Sequence, residues 1–205
     1  MIDYLTLMLL NMTAGLILLG IYMGWGLLWS DHKLWSPAFA AVGAVAIFSG
    51  AHMTLTWPLP GQFNTAFGEM SVLFGVAYLA AALAVGKGWS LVGVAIYGAL
   101  GGLGAVVVGV RCLHLHLTAL PALTAAGYIL TGLSSFFVLA ALAARAARGL
   151  RILAAAGLFL SAGIWGFTGY SAVWMHLESQ AKWKPAAMRA AAPPPAATPA
   201  TDTSK

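Results

Sequence analysis

Histidine is the residue type whose spacing in this chain points most directly to chemistry. His52, His114 and His176 are evenly spaced, with 62 residues from each to the next (114 − 52 and 176 − 114). Neutral imidazole is a ligand for zinc, copper and iron, and histidine is a common axial ligand of haem iron. The spacing therefore predicts a metal or b-type haem site that uses His52, His114 and His176, for redox or hydrolytic chemistry.

A carboxylate, a guanidinium and two amides fall at the same level of the chain as these histidines. Glu69 adds an oxygen ligand, so the predicted metal set is His52, Glu69, His114 and His176. Arg111 lies one helical turn before His114 and shares its face. Ionisable groups in apolar surroundings are costly unless they are paired, so Glu69 and Arg111 are candidates to neutralise each other. The residues expected to support this polar site are Asn11, Asn64 and Arg111.

The same residues also have ordinary structural interpretations. A histidine at a helix end is often an amphipathic side chain at an interface. Asn64 can cap a helix N-terminus, and Glu69 can complement a helix dipole. His116 lies roughly 200° around a helix from His114, so it is expected to face elsewhere. Proton relay and quinol binding use the same residue types as a metal site and stay open as alternatives.

Motifs that would name a reaction are absent from the sequence. It contains no phosphate-binding loop, dinucleotide fingerprint, nucleophile elbow or HExxH pair. Cys112 is the single cysteine, which excludes an internal disulfide and a cysteine-held iron–sulfur centre. Whether the protein is an enzyme stays open. The alternatives are a non-catalytic accessory subunit of a larger respiratory or photosynthetic membrane complex, and a small transporter.

The composition indicates which elements must position these residues. Hydrophobic residues make up 61% of the chain and charged residues only 7%, whereas soluble domains are roughly a quarter charged. Most of the surface must therefore face lipid, and the bilayer is the first expected partner. The net charge of +5 is scattered rather than gathered on one face, so no nucleic acid is expected. Other membrane-protein subunits are further candidate partners.

Six apolar stretches are each close to the roughly 20 residues that cross a membrane as a helix. Short connections between them predict an all-α, up-and-down bundle of six transmembrane helices. The recurrence of histidine at every second helix suggests three repeated helical hairpins. The predicted spans are Tyr4–Trp29, Pro37–Met53, Ala66–Val85, Leu91–His114, Ala122–Ala144 and Ile152–Met175.

Small residues and a change of composition complete the predicted organisation. Gly98 and Gly102 form a GxxxG pair, and Gly157 and Gly166 belong to a run of small residues. Because small residues let helices approach closely, the fourth and sixth helices are expected at the centre of the bundle. Residues 1–178 form the predicted transmembrane domain. Residues 179–205 are rich in Ala and Pro and are expected to be a disordered tail.

Basic residues in the loops predict an orientation. Lys and Arg concentrate on the cytoplasmic side of membrane proteins. The loops after the first, third and fifth helices carry most of them, which places both termini outside. The expected location is the inner membrane of a prokaryote. The basic residues in those three loops are Lys33, Lys87, Arg145, Arg148 and Arg151.

One long motif resembles a known family. The run HMTLTWPLPGQFNTAFGE over residues 52–69, together with LMLLNM at 7–12 and FTGY at 167–170, is similar to the prokaryotic membrane proteins grouped as domain of unknown function 981. The resemblance extends to about His176. It implies a multi-span membrane fold and carries no established activity.

Overall fold

The computed structural model describes residues 4–29, 31–145, 147–181 and 183. Within these ranges the chain is helical and contains no strand. Six of its helices are long and apolar enough to cross a membrane, which confirms the predicted fold class. The predicted tail, residues 179–205, lies outside the described residues except for 179–181 and 183.

The six helices run alternately up and down the bundle. Three short helical turns lie in the first two connections: Gly26–Leu28 and His32–Trp35 between α1 and α2, and Gly61–Phe63 after α2. The third span opens with a π-helical segment, Asn64–Glu69, before it continues as α3. The helices are α1 (Tyr4–Gly24), α2 (Ser36–Thr56), α3 (Met70–Lys87), α4 (Val92–His114), α5 (Pro121–Ala143) and α6 (Arg148–Ser179).

Several helix ends differ from the predicted boundaries, and two of these differences bear on packing. The helix α1 ends at Gly24 rather than Trp29, and the chain turns at Gly26 close to the ring of Trp35, 2.8 Å from where a Cβ would lie. The helix α6 begins at Arg148 rather than Ile152. Its early start places Arg151, which is 7% exposed, inside the first turns of the helix.

Glycines bring α2 and the third span into backbone contact. A Cβ on Gly43 would lie 2.9 Å from the carbonyl oxygen of Gly75, and one on Gly50 would lie 2.9 Å from that of Gly68. In each helix the two glycines are seven residues apart, so both lie on one face. Such close approach is how helices gain packing energy where lipid supplies no hydrophobic drive.

The glycines of α4 differ in how closely they pack. A Cβ on Gly102 would collide with Ser135, and one on Gly132 would collide with the carbonyl of Gly102, so α4 and α5 pack closely here. No described residue lies within 4 Å of the position of a Cβ on Gly98. The span of α4 is only 28% buried, the lowest value of the six, against 44% for both α1 and α6. The central position predicted for α4 is therefore wrong, and that predicted for α6 stays a prediction.

The helices form a ring of tight and loose interfaces. The most extensive interfaces join α4 to α5, α2 to α3 and α1 to α6. Each of these joins the second helix of one predicted hairpin to the first helix of the next. Contact between α3 and α4, and between α1 and α2, is much smaller. The bundle is therefore closely packed at four interfaces and loosely packed at two seams, one between α3 and α4 and one between α1 and α2.

Candidate functional site

The three histidines of the predicted site lie near one end of the bundle, which we name the histidine end. His52 and His114 are exposed near the ends of α2 and α4, and His176 is half-buried in α6. Glu69 is half-buried at the end of the π-helical segment. Within residues 4–29, 31–145, 147–181 and 183, no three His, Cys, Asp or Glu side chains lie together in a way that could hold a metal ion.

The three residues expected to support the site differ in their surroundings and hydrogen bonds. Asn11 donates from Nδ2 to the carbonyl of Val42 at 3.0 Å, so it links α1 to α2. Asn64 is 1% exposed and donates to the carbonyl of Leu59 at 2.6 Å, while its Oδ1 accepts from the Leu59 amide at 3.3 Å. It therefore fixes the proline-containing turn before the third span. Arg111 lies exposed on α4.

A cavity of about 240 Å³ opens at the histidine end between α1, α5 and α6. His176 is the one residue of the predicted metal set that lines it. The Nδ1 of His176 lies 3.1 Å from the hydroxyl of Thr6, in a hydrogen bond that joins α6 to α1. Thr118 and Thr124, whose hydroxyls are 2.8 Å apart, also line this cavity. The wall thus combines one imidazole with several hydroxyl groups.

Beneath this cavity lies a layer of three buried aromatic side chains, Phe67, Tyr128 and Trp165. The ring of Tyr128 is 5.9 Å from that of Phe67 and packs edge-on against Trp165 at 4.9 Å. The Tyr128 hydroxyl donates to the carbonyl of Ala66 at 2.5 Å, and the indole of Trp165 donates to the Thr131 hydroxyl at 3.1 Å. Ala66 belongs to the π-helical segment, a helix type that is frequent at functional sites.

A second cavity of about 130 Å³ lies below the aromatic layer, in the middle of the spans, and we name it the central cavity. Five helices, α1 and α3 to α6, form its walls, and all of the lining residues are uncharged. A smaller cavity of about 80 Å³ continues toward the other end and shares Leu19, Tyr78 and Val138 with it. Residues that line the central cavity include Leu16, Leu73, Tyr78, Gly101, Thr131 and Ser135.

Tyr78 is the exceptional residue of the central cavity. It is 5% exposed, and its hydroxyl has no hydrogen-bond partner among the described residues. Its ring packs against Phe74 at 4.4 Å and against Phe39 at 5.7 Å. A Cβ on Gly15 would lie 3.2 Å from Cζ of Tyr78, so this glycine makes room for the phenol end. A buried polar group without a partner costs about 1–3 kcal/mol inside a protein.

Thr131 and Ser135 already have partners for their hydroxyl protons. Thr131 donates to the carbonyl of Gly127 at 2.7 Å, and Ser135 donates to the carbonyl of Gly132 at 2.6 Å. Such bonds to the preceding turn are the usual solution for a hydroxyl inside an apolar helix. A tyrosine hydroxyl lies too far from its own backbone for this solution. Among the described residues, Tyr78 is therefore the residue of the central cavity whose buried hydroxyl lacks a partner.

Neither Tyr78 nor Tyr128 belongs to the predicted site. The signal available in the sequence was the presence of two tyrosines in the middle of otherwise apolar spans, where each phenol hydroxyl must find a partner. The predicted site was instead based on the histidines, because of their regular spacing. Spacing indicates the depth of a residue along a span and does not indicate which way its side chain faces.

The architecture defines a helical protein of six apolar spans, indicative of a multi-pass membrane protein, with uncharged cavities between the helices. Residues 1–179 match the family described as "Protein of unknown function (DUF981)", and the chain belongs to this family. The predicted resemblance is thereby confirmed. No curated protein and no solved structure matches the chain.

Proposed function

We propose that this protein binds a small lipophilic molecule in the central cavity and holds it by a hydrogen bond from Tyr78 to an oxygen atom of the ligand. The observation that carries the proposal is Tyr78, which lines the apolar central cavity and whose buried hydroxyl has no hydrogen-bond partner among the described residues. Ligand sites are typically apolar pockets with a few well-placed polar groups. A ligand oxygen would remove the cost of the buried donor.

The size of the cavity supports a ligand with one ring. An apolar cavity of roughly 150 Å³ accepts benzene, and the central cavity measures about 130 Å³. Because Tyr78 supplies a donor, the ring must carry an acceptor such as a ketone or quinone oxygen. The uncharged wall disfavours ions and charged metabolites, since an unpaired charge in such surroundings is very costly.

The seam between α3 and α4 supports entry from the bilayer. Gly98 and Gly101 of α4 line the cavity and carry no side chain that could close it. Tyr97, which is 38% exposed, lies beside them on the lipid-facing side. A lipophilic molecule dissolved in the membrane can therefore reach Tyr78 without crossing the aromatic layer.

The proposal is tested with a pair of matched probes, duroquinone and durene, which share a shape but differ in the two quinone oxygens. Binding is measured with radiolabelled probes and protein in nanodiscs, with empty nanodiscs subtracted. We expect Tyr78→Phe to weaken duroquinone binding about fivefold, which corresponds to about 1 kcal/mol for one hydrogen bond. Durene binding should be unchanged.

The matched control is Tyr97→Phe, which removes the same hydroxyl from the exposed rim of the cavity. It should leave the binding of both probes unchanged. Equal loss of duroquinone and durene in Tyr78→Phe would mean that the substitution acts by reshaping the cavity. Failure of wild-type protein to bind either probe would overturn the proposal.

The histidine end carries a second candidate function, which the hydrogen bond between His176 and Thr6 favours. The imidazole and the hydroxyls around it form a polar wall that suits the head of a quinol or a proton-exchanging group. Metal or haem binding through His52, His114 and His176 also stays a prediction. Metal analysis and a visible absorption spectrum of wild-type protein and His176→Ala separate these possibilities, since only a haem protein gives a Soret band.

Two further predictions concern the protein as a whole. An accessory subunit should co-purify from mild detergent with defined partner subunits in constant proportion.

A small transporter should move the quinone probe between vesicle leaflets faster than it moves in protein-free vesicles, and Tyr78→Phe should slow that movement. If the protein binds the quinone probe but neither moves it between leaflets nor co-purifies with partners, ligand binding is the function that the results support.

A further inference from the structure

The end of the bundle opposite the histidine end, which we name the basic end, contains an open groove between α1 and α6. The groove has a volume of about 680 Å³. Two arginines, Arg148 and Arg151, lie at its mouth, and apolar side chains form its walls. The apolar residues that matter for the argument are Trp25, Leu28, Ile152, Ala155, Ala156 and Phe159.

Arg151 is a built-in part of the groove. Its Nε donates to the carbonyl of Met23 at 3.0 Å, and its Nη2 donates to the carbonyl of Gly24 at 2.7 Å. These two bonds satisfy carbonyls that the end of α1 leaves without helical partners. The guanidinium is therefore fixed in place at the junction of α1 and α6, and it brings a full positive charge to the mouth of the groove.

Arg148 supplies a second, exposed charge on the same face. It lies three residues before Arg151 in α6, so the two side chains are neighbours on the helix surface. Below them Trp25 is 57% exposed, Leu28 67% and Ile152 54%. The ring of Trp25 lies 6.4 Å from that of Phe159. The groove thus changes from cationic at its mouth to apolar along its wall.

We infer that this groove binds an anionic phospholipid, with the phosphate at Arg148 and Arg151 and the acyl chains against the apolar wall. Charge complementarity selects the anionic headgroup, because basic pockets between transmembrane helices recognise such headgroups. The exposed apolar wall selects a lipid over a free anion. Trp25 is suited to the boundary between headgroups and acyl chains, where tryptophan is enriched.

The test is a lipid titration followed by native mass spectrometry of the full chain in detergent. Phosphatidylglycerol and phosphatidylethanolamine with identical acyl chains are compared. We expect the wild type to prefer phosphatidylglycerol and Arg148→Gln to lose roughly fivefold in affinity for it, the effect of one basic residue at a membrane surface. Binding of phosphatidylethanolamine should change little.

Lys87→Gln is the matched control, because it removes one positive charge from the same end outside the groove. It should leave the preference for phosphatidylglycerol intact. An equal loss in both variants would show that overall charge, rather than the groove, attracts the lipid and would overturn the inference.

Two further arms of the experiment test the acyl-chain contact. Ala156→Trp fills the exposed wall without touching the arginines and should weaken binding of the lipid. Inorganic phosphate at the same concentration should not displace it. Full displacement by phosphate, together with normal binding in Ala156→Trp, would identify a simple anion site and contradict the lipid assignment.

Discussion

Tyr128 and Tyr78 are both buried inside the bundle, yet their surroundings differ in one decisive respect. The Tyr128 hydroxyl donates to the carbonyl of Ala66 and its ring packs against Trp165. The Tyr78 ring packs equally well, against Phe74, but its hydroxyl has no partner among the described residues. The polar groups of the aromatic layer therefore have hydrogen-bond partners, whereas the Tyr78 hydroxyl lacks one among the described residues.

The difference originates in the backbone opposite each tyrosine. Regular helices direct their carbonyls along the axis into their own hydrogen bonds. The π-helical segment Asn64–Glu69 widens the helix and presents the carbonyl of Ala66 to Tyr128. Tyr78 instead faces the regular helix α1 at Gly15. A phenol in that position gains a partner only from a molecule that enters the cavity.

Removal of the whole Tyr128 side chain should have the largest effect on stability. Tyr128→Ala deletes the centre of the aromatic layer and joins the two cavities, and loss of a large buried aromatic side chain costs about 3–5 kcal/mol. Unfolding by sodium dodecyl sulfate in mixed micelles measures this change. A cost below about 1 kcal/mol would show that the layer does not hold the bundle together.

Removal of only the Tyr128 hydroxyl should have a smaller effect in the same direction. Tyr128→Phe keeps the ring and loses the bond to Ala66, and side-chain hydrogen bonds inside membrane proteins contribute about 0.6 kcal/mol on average and up to about 1.7. The same unfolding assay applies. Unchanged stability would remove the energetic distinction between the two tyrosines.

Removal of the Tyr78 hydroxyl should change the stability of the ligand-free protein in the opposite direction. Tyr78→Phe removes a buried donor that has no acceptor among the described residues, so the ligand-free protein should become more stable, by about 1 kcal/mol. Tyr97→Phe, at the exposed rim, should have no effect. If Tyr78→Phe destabilised ligand-free protein as much as Tyr128→Phe does, the hydroxyl would already have a partner and the proposed ligand would be unnecessary.

The sequence predicts depth along each span well, because apolar length and short loops leave few alternatives. It placed His52, His114 and His176 at one end, and it identified the small residues Gly157 and Gly166, at which α6 packs on its neighbours. It did not predict that α4 is the least buried span, in which Gly98 meets no described neighbour while Gly102 packs on α5. Rotation of a helix about its axis depends on its neighbours, and a span that is apolar all round contains little signal for it.

The same limitation explains the missed cavity and the misplaced start of the third span. The prediction of Ala66 as its first residue overlooked the turn that Asn64 ties together and the π-helical segment that follows, because no simple residue pattern specifies a π-helix. Tyr78 and Ala66 lie in one span, yet only the folded bundle pairs Ala66 with a tyrosine 62 residues later.

The cap that Arg151 places on α1 also constrains how the protein is made. The two groups it joins are 128 residues apart at Met23 and 127 at Gly24. At a synthesis rate of about 5–20 residues per second, α1 must wait roughly 6–26 seconds in the membrane before its capping partner is synthesised. During that time it depends on its own apolarity, with a mean hydropathy of 1.9. Closure of the ring by α6 is therefore a late event in biogenesis, and a chain truncated before Arg151 leaves the end of its first helix uncapped.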